Sequence, residues 1–253
     1  MMVKAPEFTV KLAETEAELQ AAQRLRYDVF VRELGAGGAF VDHAEGLESD
    51  RFDAYADHLI VTRTGSDAVL GVYRLLRSDG AAAAGGYYSE GEYDLEVLKT
   101  SGRHLLELGR SCLHVDARGG MAMHHLWQGL AAYVAQHRIE VLFGVASFHG
   151  TDVAALAEPL SLLHHRHLAP PAVRPRARGE TVQRMDLVAP KDIDRRRAMV
   201  AVPSLIKAYL RLGGVVGEGA FVDHCFNTTD VCLIMDTAQM TAGQAKRYGR
   251  QRG

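Results

Sequence analysis

A chain of 253 residues, 47% hydrophobic and 24% charged, has the length and composition of one large soluble domain with a proper core, and neither a disordered nor a fibrous class fits it. A net charge of −2 gives no overall pull toward nucleic acid, so an anionic partner has to be met by a local basic patch. Three cysteines without metal-ligand spacing read as reduced intracellular thiols, MMVKAPEF lacks the apolar stretch of a signal sequence, and no run approaches the roughly 18 apolar residues of a membrane span, so a cytoplasmic protein is expected.

In chain order, Phe8 to Leu12 reads as a short strand. A helix follows from about Thr15 to Leu34, opened by a Thr15/Glu18 capping box and stopped by Gly35. Residues 58–63 and 69–77 form paired strands around a Thr64-Gly65-Ser66-Asp67 turn, and Ala81 to Gly86 reads as a low-complexity loop. Leu105 to Val115 is a strand. Gly119-Gly120 leads into a helix to about His137, then a strand at Val141 to Phe148 and a Thr151-capped helix through Leu163. Strand, glycine turn, helix and strand is the unit that sets two parallel strands beside a helix N-terminus. It predicts that these two strands are adjacent and parallel. A Pro/Arg-rich linker spans Arg166 to Arg178, a strand lies near Val182 to Leu187, Pro203 opens a helix stopped by Gly213-Gly214, and a strand lies near Val231 to Met235. GAFVDH occurs at 38–43 and again at 219–224; the flanks do not match, so the repeat reads as coincidence. Residues 1–165 are taken as the core and 166–253 as a C-terminal part completing the sheet and the substrate site.

Several charges stand where apolar residues belong. Arg26 falls within the helix stripe of Leu19, Ala22, Val29 and Phe30, and Arg74 shares a strand face with Val72 and Leu76. Glu48, Asp50 and Asp53 in EGLESDRFD are three carboxylates within six residues. They form either a solvated acidic loop or a site for cations. Glu107 and Arg110 sit three apart in an apolar strand, and a bulge at Leu108-Gly109 would place both on one face and free backbone N–H groups for an oxyanion. The alternative is an internal ion pair that fixes the sheet. Asp116-Ala117-Arg118-Gly119-Gly120 at a helix start suits an anion. The histidines at 124–125 and 164–167 lack the company of a metal site, so no metal is expected. Cys112 reads as a structural thiol, and Met121 and Met123 as core.

Together, LRYDVFVRELG, ESDRFD, VYRLLR and ELGRS resemble the ordered pattern of the bacterial acyl-homoserine-lactone synthases, of the GNAT superfamily. The fuller resemblance, through DAYADHLIV, ELGRSCLH, LFGVASFHGTD, LIKAYLRLGG and FNTTDV, is to the ornithine N-acyltransferases of ornithine-lipid synthesis. Two departures stand out. Ala36 occupies the position of a synthase tryptophan, against an S-adenosylmethionine substrate, and the phosphate signature counted from Arg118 yields Met121 and Met123 instead of Gly and Gly/Ala, against an intact coenzyme A cradle.

The resemblance implies an α/β (α+β) GNAT-like mixed central sheet flanked by helices, with splayed parallel central strands whose gap would admit a pantetheine arm and an additional C-terminal segment. The implied reaction moves a 3-hydroxyacyl chain from an acyl-carrier-protein phosphopantetheine thioester to the α-amine of ornithine, with no other cofactor. Glu107 is the first candidate base, Glu48 the second, and Arg110 stands with them. Asp50 and Asp53 suit the two ammonium groups, Arg26 or Arg74 the carboxylate, and Ser147 the substrate; the arginines and acids alternatively neutralise one another. Ser111, Cys112, Arg118, Gly119 and Gly120 fall to the acyl donor. Arg166, Arg174, Arg176 and Arg178 would dock the acidic carrier protein. Peripheral contact with the inner membrane follows from a lipid product. Competing expectations are an autoinducer synthase of the homoserine-lactone type and a non-catalytic module binding acyl carrier protein or lipid.

Overall fold

The computed structural model describes residues 7–239; MMVKAP and the end of the expected C-terminal part lie outside the described residues. In chain order, β1 (Phe8–Leu12) leads to α1 (Glu16–Arg26), which continues as a π-helix over Tyr27–Glu33; then come β2 (Val41–Asp42), β3 (Leu47–Glu48), β4 (Asp57–Arg63), β5 (Val69–Arg77) and α2 (Ser78–Ala84). Next are β6 (Tyr93–Asp94), α3 (Glu96–Lys99), β7 (Leu105–Leu113), α4 (Ala122–Gln136), β8 (Val141–His149) and α5 (Ala157–His167). The rest holds β9 (Arg176–Ala177), β10 (Val182–Gln183), α6 (Arg195–Ala201), α7 (Ser204–Arg211), β11 (Val215–Val216), β12 (Ala220–Asp223) and β13 (Thr228–Asp236). The main sheet is mixed, mostly antiparallel with one parallel pair, as expected for the GNAT-like class. Among the described residues no helix is long and apolar enough to cross a membrane.

Two compact units share β7 along the chain. The first holds the residues up to Gly85 and Leu108–Arg138, with strands in the order β1, β4, β5 and the second part of β7. The α1 capping box forms in both directions between Thr15 and Glu18, a cap of about 1 kcal/mol. The helix then buries Ala22 and Leu25, with Val29 from the π-helix, against Ile60, Val72 and Cys112. Helix α4 packs on β1 and β4 at Gly129, where a Cβ would stand 2.5 Å from Val10 Cγ1 and 3.2 Å from both Leu59 methyls.

Of the described residues, the second unit holds Gly86–Glu107 and residues 139–239, with strands in the order β7, β8, β13, β12 and β10, and β11 beside β13. Here the expected neighbours β7 and β8 pair in parallel, and the ladder comprises Leu105↔Val141, Leu106↔Leu142 and Glu107↔Phe143. Strand β13 runs antiparallel to β8 without interruption from Thr228↔His149 to Asp236↔Val141.

Several expectations are corrected. The first helix changes to π-type after Arg26, a change of hydrogen bonding that a 3.6-residue stripe does not reveal. Ala81 to Gly86 is no loop: residues 78–84 are helical, with Gly85 left-handed at φ 82° as the stop, because alanine is the best helix former. Thr151 caps nothing; Asp152 accepts the N–H groups of Ala154 and Ala155 in a turn, and α5 begins at Ala157. The linker is structured too, since Arg166 lies in the last turn of α5 and β9 pairs with β6. Strand β10 is shorter than the strand expected there. The repeated GAFVDH does the same local work twice. Asp42 Oδ1 accepts from Ala44 and Glu45 N–H between β2 and β3, and Asp223 Oδ1 accepts from Cys225 and Phe226 N–H between β12 and β13. Each copy is a strand ending in an aspartate-capped hairpin turn.

Candidate active site

In the first unit the charges flagged among apolar residues come together as a closed circuit. Arg26, on α1, holds Glu48 through Nε and Asp53 Oδ1 through Nη1 at 2.9 Å. Arg74, on β5, holds Asp53 Oδ1 at 3.0 Å and Asp50 Oδ1 at 2.6 Å, both through Nη1. Arg110, on β7, returns from Asp50 Oδ2 through Nη2 to Glu48 Oε1 through Nε, each at 2.9 Å. Every carboxylate takes two guanidiniums and every guanidinium two carboxylates. Gln23 Nε2 adds a bond of 3.0 Å to Asp53 Oδ2.

This alternation permits the burial. Arg26 and Glu48 are wholly enclosed, while Asp50, with 14% of its side chain exposed, and Arg110, with 8%, form the most accessible edge. Burial alone would raise the Asp53 carboxyl, but Arg26 and Arg74 outweigh it and hold the group far below the usual carboxylate range. Burial opposes ionisation of Asp50 in the same way, and Arg74 and Arg110 hold its carboxyl down. For Arg26 the desolvation is overcome by Glu48 and Asp53, which raise its value further. The carboxylates expected to await ammonium groups are thus already each paired with two cations. The alternative reading, mutual neutralisation, describes the geometry observed.

Strand β7 runs from Leu105 to Leu113, and its unusual backbone lies at Arg110, one residue past the expected bulge. Gly109 keeps an ordinary backbone, whereas Arg110 adopts φ 53°. That conformation costs a non-glycine residue about 1–3 kcal/mol, and the two carboxylates on its guanidinium over-determine it. Glu107 belongs to the second unit. It is 3% exposed, and its oxygens accept the N–H groups of Tyr88 at 2.8 Å and Ser89 at 2.7 Å.

On the donor side, Arg118 Nε donates to the Leu113 carbonyl at 3.1 Å and Nη2 to Glu33 at 2.7 Å. Gly119 has φ 74°, and α4 starts only at Ala122 after Gly120 and Met121. Ser111 is half-buried with Oγ lacking a hydrogen-bond partner, and burial pushes the Cys112 thiol up to about 12. Met121 is half-exposed rather than core. Of the arginines assigned to docking, Arg166, Arg176 and Arg178 are exposed, while Arg174 is half-buried and donates to the Ala169 carbonyl at 2.6 Å. Arg176 pairs with Glu218 at 3.2 Å and Arg178 donates to the Glu90 carbonyl.

Ser147, on β8, is exposed and stands opposite Asp230 of β13. Asp230 belongs to a grouping not foreseen from the sequence. One carboxylate oxygen from each of Glu92, Asp223 and Asp230 lies within 4.8 Å of the others, with Glu92 and Asp230 buried and Asp223 half-buried. The available signal was the one that drew attention to Glu107: an acid inside a strand, here TTDVCLIMD, whose neighbours are buried.

A family profile described as an acetyltransferase (GNAT) domain matches residues 25–128. An L-ornithine N(alpha)-acyltransferase from Rhodobacter capsulatus is 57% identical over 99% of this chain and 98% of its own. A protein of the same name from Brucella abortus is 41% identical over 96% of this chain and 89% of its own. Among solved structures, an N-acyl amino acid synthase from uncultured soil microbes superposes with a TM-score of 0.54 at 11% identity, covering 93% of each chain. A CoA-dependent acyl-homoserine lactone synthase with SAM and isopentyl-CoA gives 0.52 at 13% identity over 93% of this chain and 82% of its own. At those identities the structural likeness establishes the fold.

Proposed function

The chain belongs to the L-ornithine N(alpha)-acyltransferase family and is an acyltransferase, and from that premise we propose that it transfers a 3-hydroxyacyl chain from acyl carrier protein to the α-amine of ornithine, forming lyso-ornithine lipid. The observation that carries the assignment of the base is the buried Glu107 carboxylate, fixed by two consecutive backbone N–H groups at the end of the β7–β8 ladder. Glu107 takes a proton from the substrate ammonium, directly or through one water, and the freed nitrogen attacks the thioester carbonyl. The tetrahedral oxyanion then collapses, the C–S bond breaks, the nitrogen gives its second proton to the departing sulfur directly or through water, and the carrier leaves as its thiol. Backbone N–H groups beside Arg110, whose φ is 53°, are the proposed oxyanion donors.

Glu48, the second candidate base, has both oxygens on guanidiniums and is the weaker choice. Within the ring, Arg110 and Asp50 supply the edge that meets substrate, and Arg26, Asp53 and Arg74 hold that edge in place. Ser147, on β8, is assigned to the substrate. Ser111, Cys112, Arg118, Gly119 and Gly120 are assigned to the pantetheine side, and Arg166, Arg174, Arg176 and Arg178 to the acidic carrier. Residues 1–165 carry the transfer chemistry and 166–253 complete the acceptor site. The lipid product places the enzyme at the cytoplasmic side of the inner membrane.

Mass spectrometry of lipids from a host expressing the chain tests this reading. The parent is expected to accumulate 3-hydroxyacyl-ornithine, and Glu107→Gln to lower the rate of formation by about 10² to 10⁴. Acyl-homoserine lactone in place of acyl-ornithine, or equal product from parent and variant, would overturn it.

A further inference from the structure

Glu92, Asp223 and Asp230 belong to the second unit and have no part in the transfer steps above. The β12–β13 ladder pairs Phe221 with Asp230 and Asp223 with Thr228, so Asp223, Thr228 and Asp230 leave the sheet on one face. Glu92 completes the group from the loop before β6, bringing three carboxylate oxygens within 4.8 Å. Two further polar atoms flank them. Thr228 is 9% exposed and its Oγ1 has no hydrogen-bond partner. Ser89 is fully buried, its Oγ also has no partner, and it lies one 3-10 turn before Glu92, to whose N–H its carbonyl is bonded at 3.1 Å; residues three apart in such a turn project to the same side. Buried hydroxyls in native proteins are hydrogen-bonded, so these two can serve a polar molecule held at the carboxylates.

The same sheet face carries Glu107. Glu107 pairs with Phe143, and Phe143 with Ile234; Ile234, Cys232, Asp230 and Thr228 then alternate along β13. The Ser89 backbone links the two acidic groups, its N–H on Glu107 and its carbonyl on the Glu92 N–H. We propose that Glu92, Asp223 and Asp230 receive the distal ammonium of a diamino acid acceptor and so select it over amino acids with apolar side chains. This rests on the acyl-acceptor reading given above. An ammonium offers three donors, one for each carboxylate, and Asp50 and Asp53, the other acids considered for this task, are already paired with guanidiniums.

The test is calorimetric titration of the full chain with L-ornithine and with L-norvaline, the same skeleton without the distal nitrogen. The parent is expected to prefer ornithine, and Asp230→Asn to weaken ornithine binding roughly 10- to 100-fold, the effect of losing a charged hydrogen bond, bringing the two ligands close together. Asp223→Asn, at the half-buried member, gives the same collapse of preference if Asp230→Asn does not fold. Variants that fold and keep the parent's preference overturn the proposal. Magnesium chloride that binds the parent and competes with ornithine also overturns it, in favour of a metal site. Acyl transfer to ornithine is measured in parallel: transfer by the parent with an unaltered preference in the variants removes this assignment alone, whereas a parent that neither binds nor acylates ornithine removes the functional reading as well.

Discussion

Arg110 reaches Glu48 across 62 residues of sequence, Nε to Oε1 at 2.9 Å, from a backbone held at φ 53°. The contact and the strain depend on one another. Arg110→Ala removes the contact and leaves Glu48 and Asp50 with one guanidinium each in a buried setting. Breaking such a pairing costs about 3–5 kcal/mol, and the expected result is a loss of that size in urea denaturation. Arg110→Gly relieves the backbone strain but not the lost pairing, so it should fall between the alanine variant and the parent. Equal stability of parent and alanine variant would show that the ring contributes nothing at this position.

Acid should open the ring. The folded values of Asp50 and Asp53 lie below their ordinary range despite burial, because of the guanidiniums beside them. For a group depressed on folding, the stabilisation is complete above the unfolded value, near 4 for aspartate, and disappears as pH falls through the folded value. The urea midpoint should therefore owe no loss to these two groups between pH 7 and 5 and should decline below about pH 4. Carboxyl resonances of Asp50 and Asp53 titrating at ordinary values in the folded protein would contradict this.

The thiols should separate cleanly. Burial pushes Cys112 up to about 12 and Cys232 higher still, whereas Cys225 is exposed. Thiolate is the reactive form. A thiol reagent at neutral pH is expected to titrate one group in the native protein and all three cysteines in denaturant. A second fast equivalent in the native state would mean that Cys112 or Cys232 is accessible.

Gly129→Ala inverts the usual helix rule. In an exposed helix the change gains about 1 kcal/mol. Here the new Cβ would meet Val10 Cγ1 at 2.5 Å, and a short branched side chain in a strand has little room to yield. Overpacking of about 1–3 kcal/mol outweighs the propensity gain, so a lower melting temperature is expected; a rise would show that α4 shifts freely on β1.

Much of the ring was legible because its members violate a simple rule: Arg26, Arg74 and Arg110 are charges on apolar faces, and EGLESDRFD concentrates the acids that answer them. Who pairs with whom was not legible. The partners lie 21 to 62 residues apart, and only the packing of α1 beside β5 and β7 sets the circuit. Local errors had local causes. The alanines of α2 looked like low complexity because repetitiveness hid a strong helix propensity, and Thr151 offered a capping signal that the Asp152 turn displaced. The acids of the second unit escaped notice because Glu92 lies among several acidic neighbours, and Asp230 gains meaning only from the register that sets it near Asp223.

A ring of six alternating signs has a parity that a simple ion pair lacks. Reverse the sign of any one member and it meets two like charges; reverse either neighbour in compensation and the conflict moves one place on. It disappears only when all six signs have been inverted. No single second-site reversal restores alternation, so mutational drift through charge exchange is blocked here, and substitutions compatible with the ring must preserve sign at each of Arg26, Glu48, Asp50, Asp53, Arg74 and Arg110.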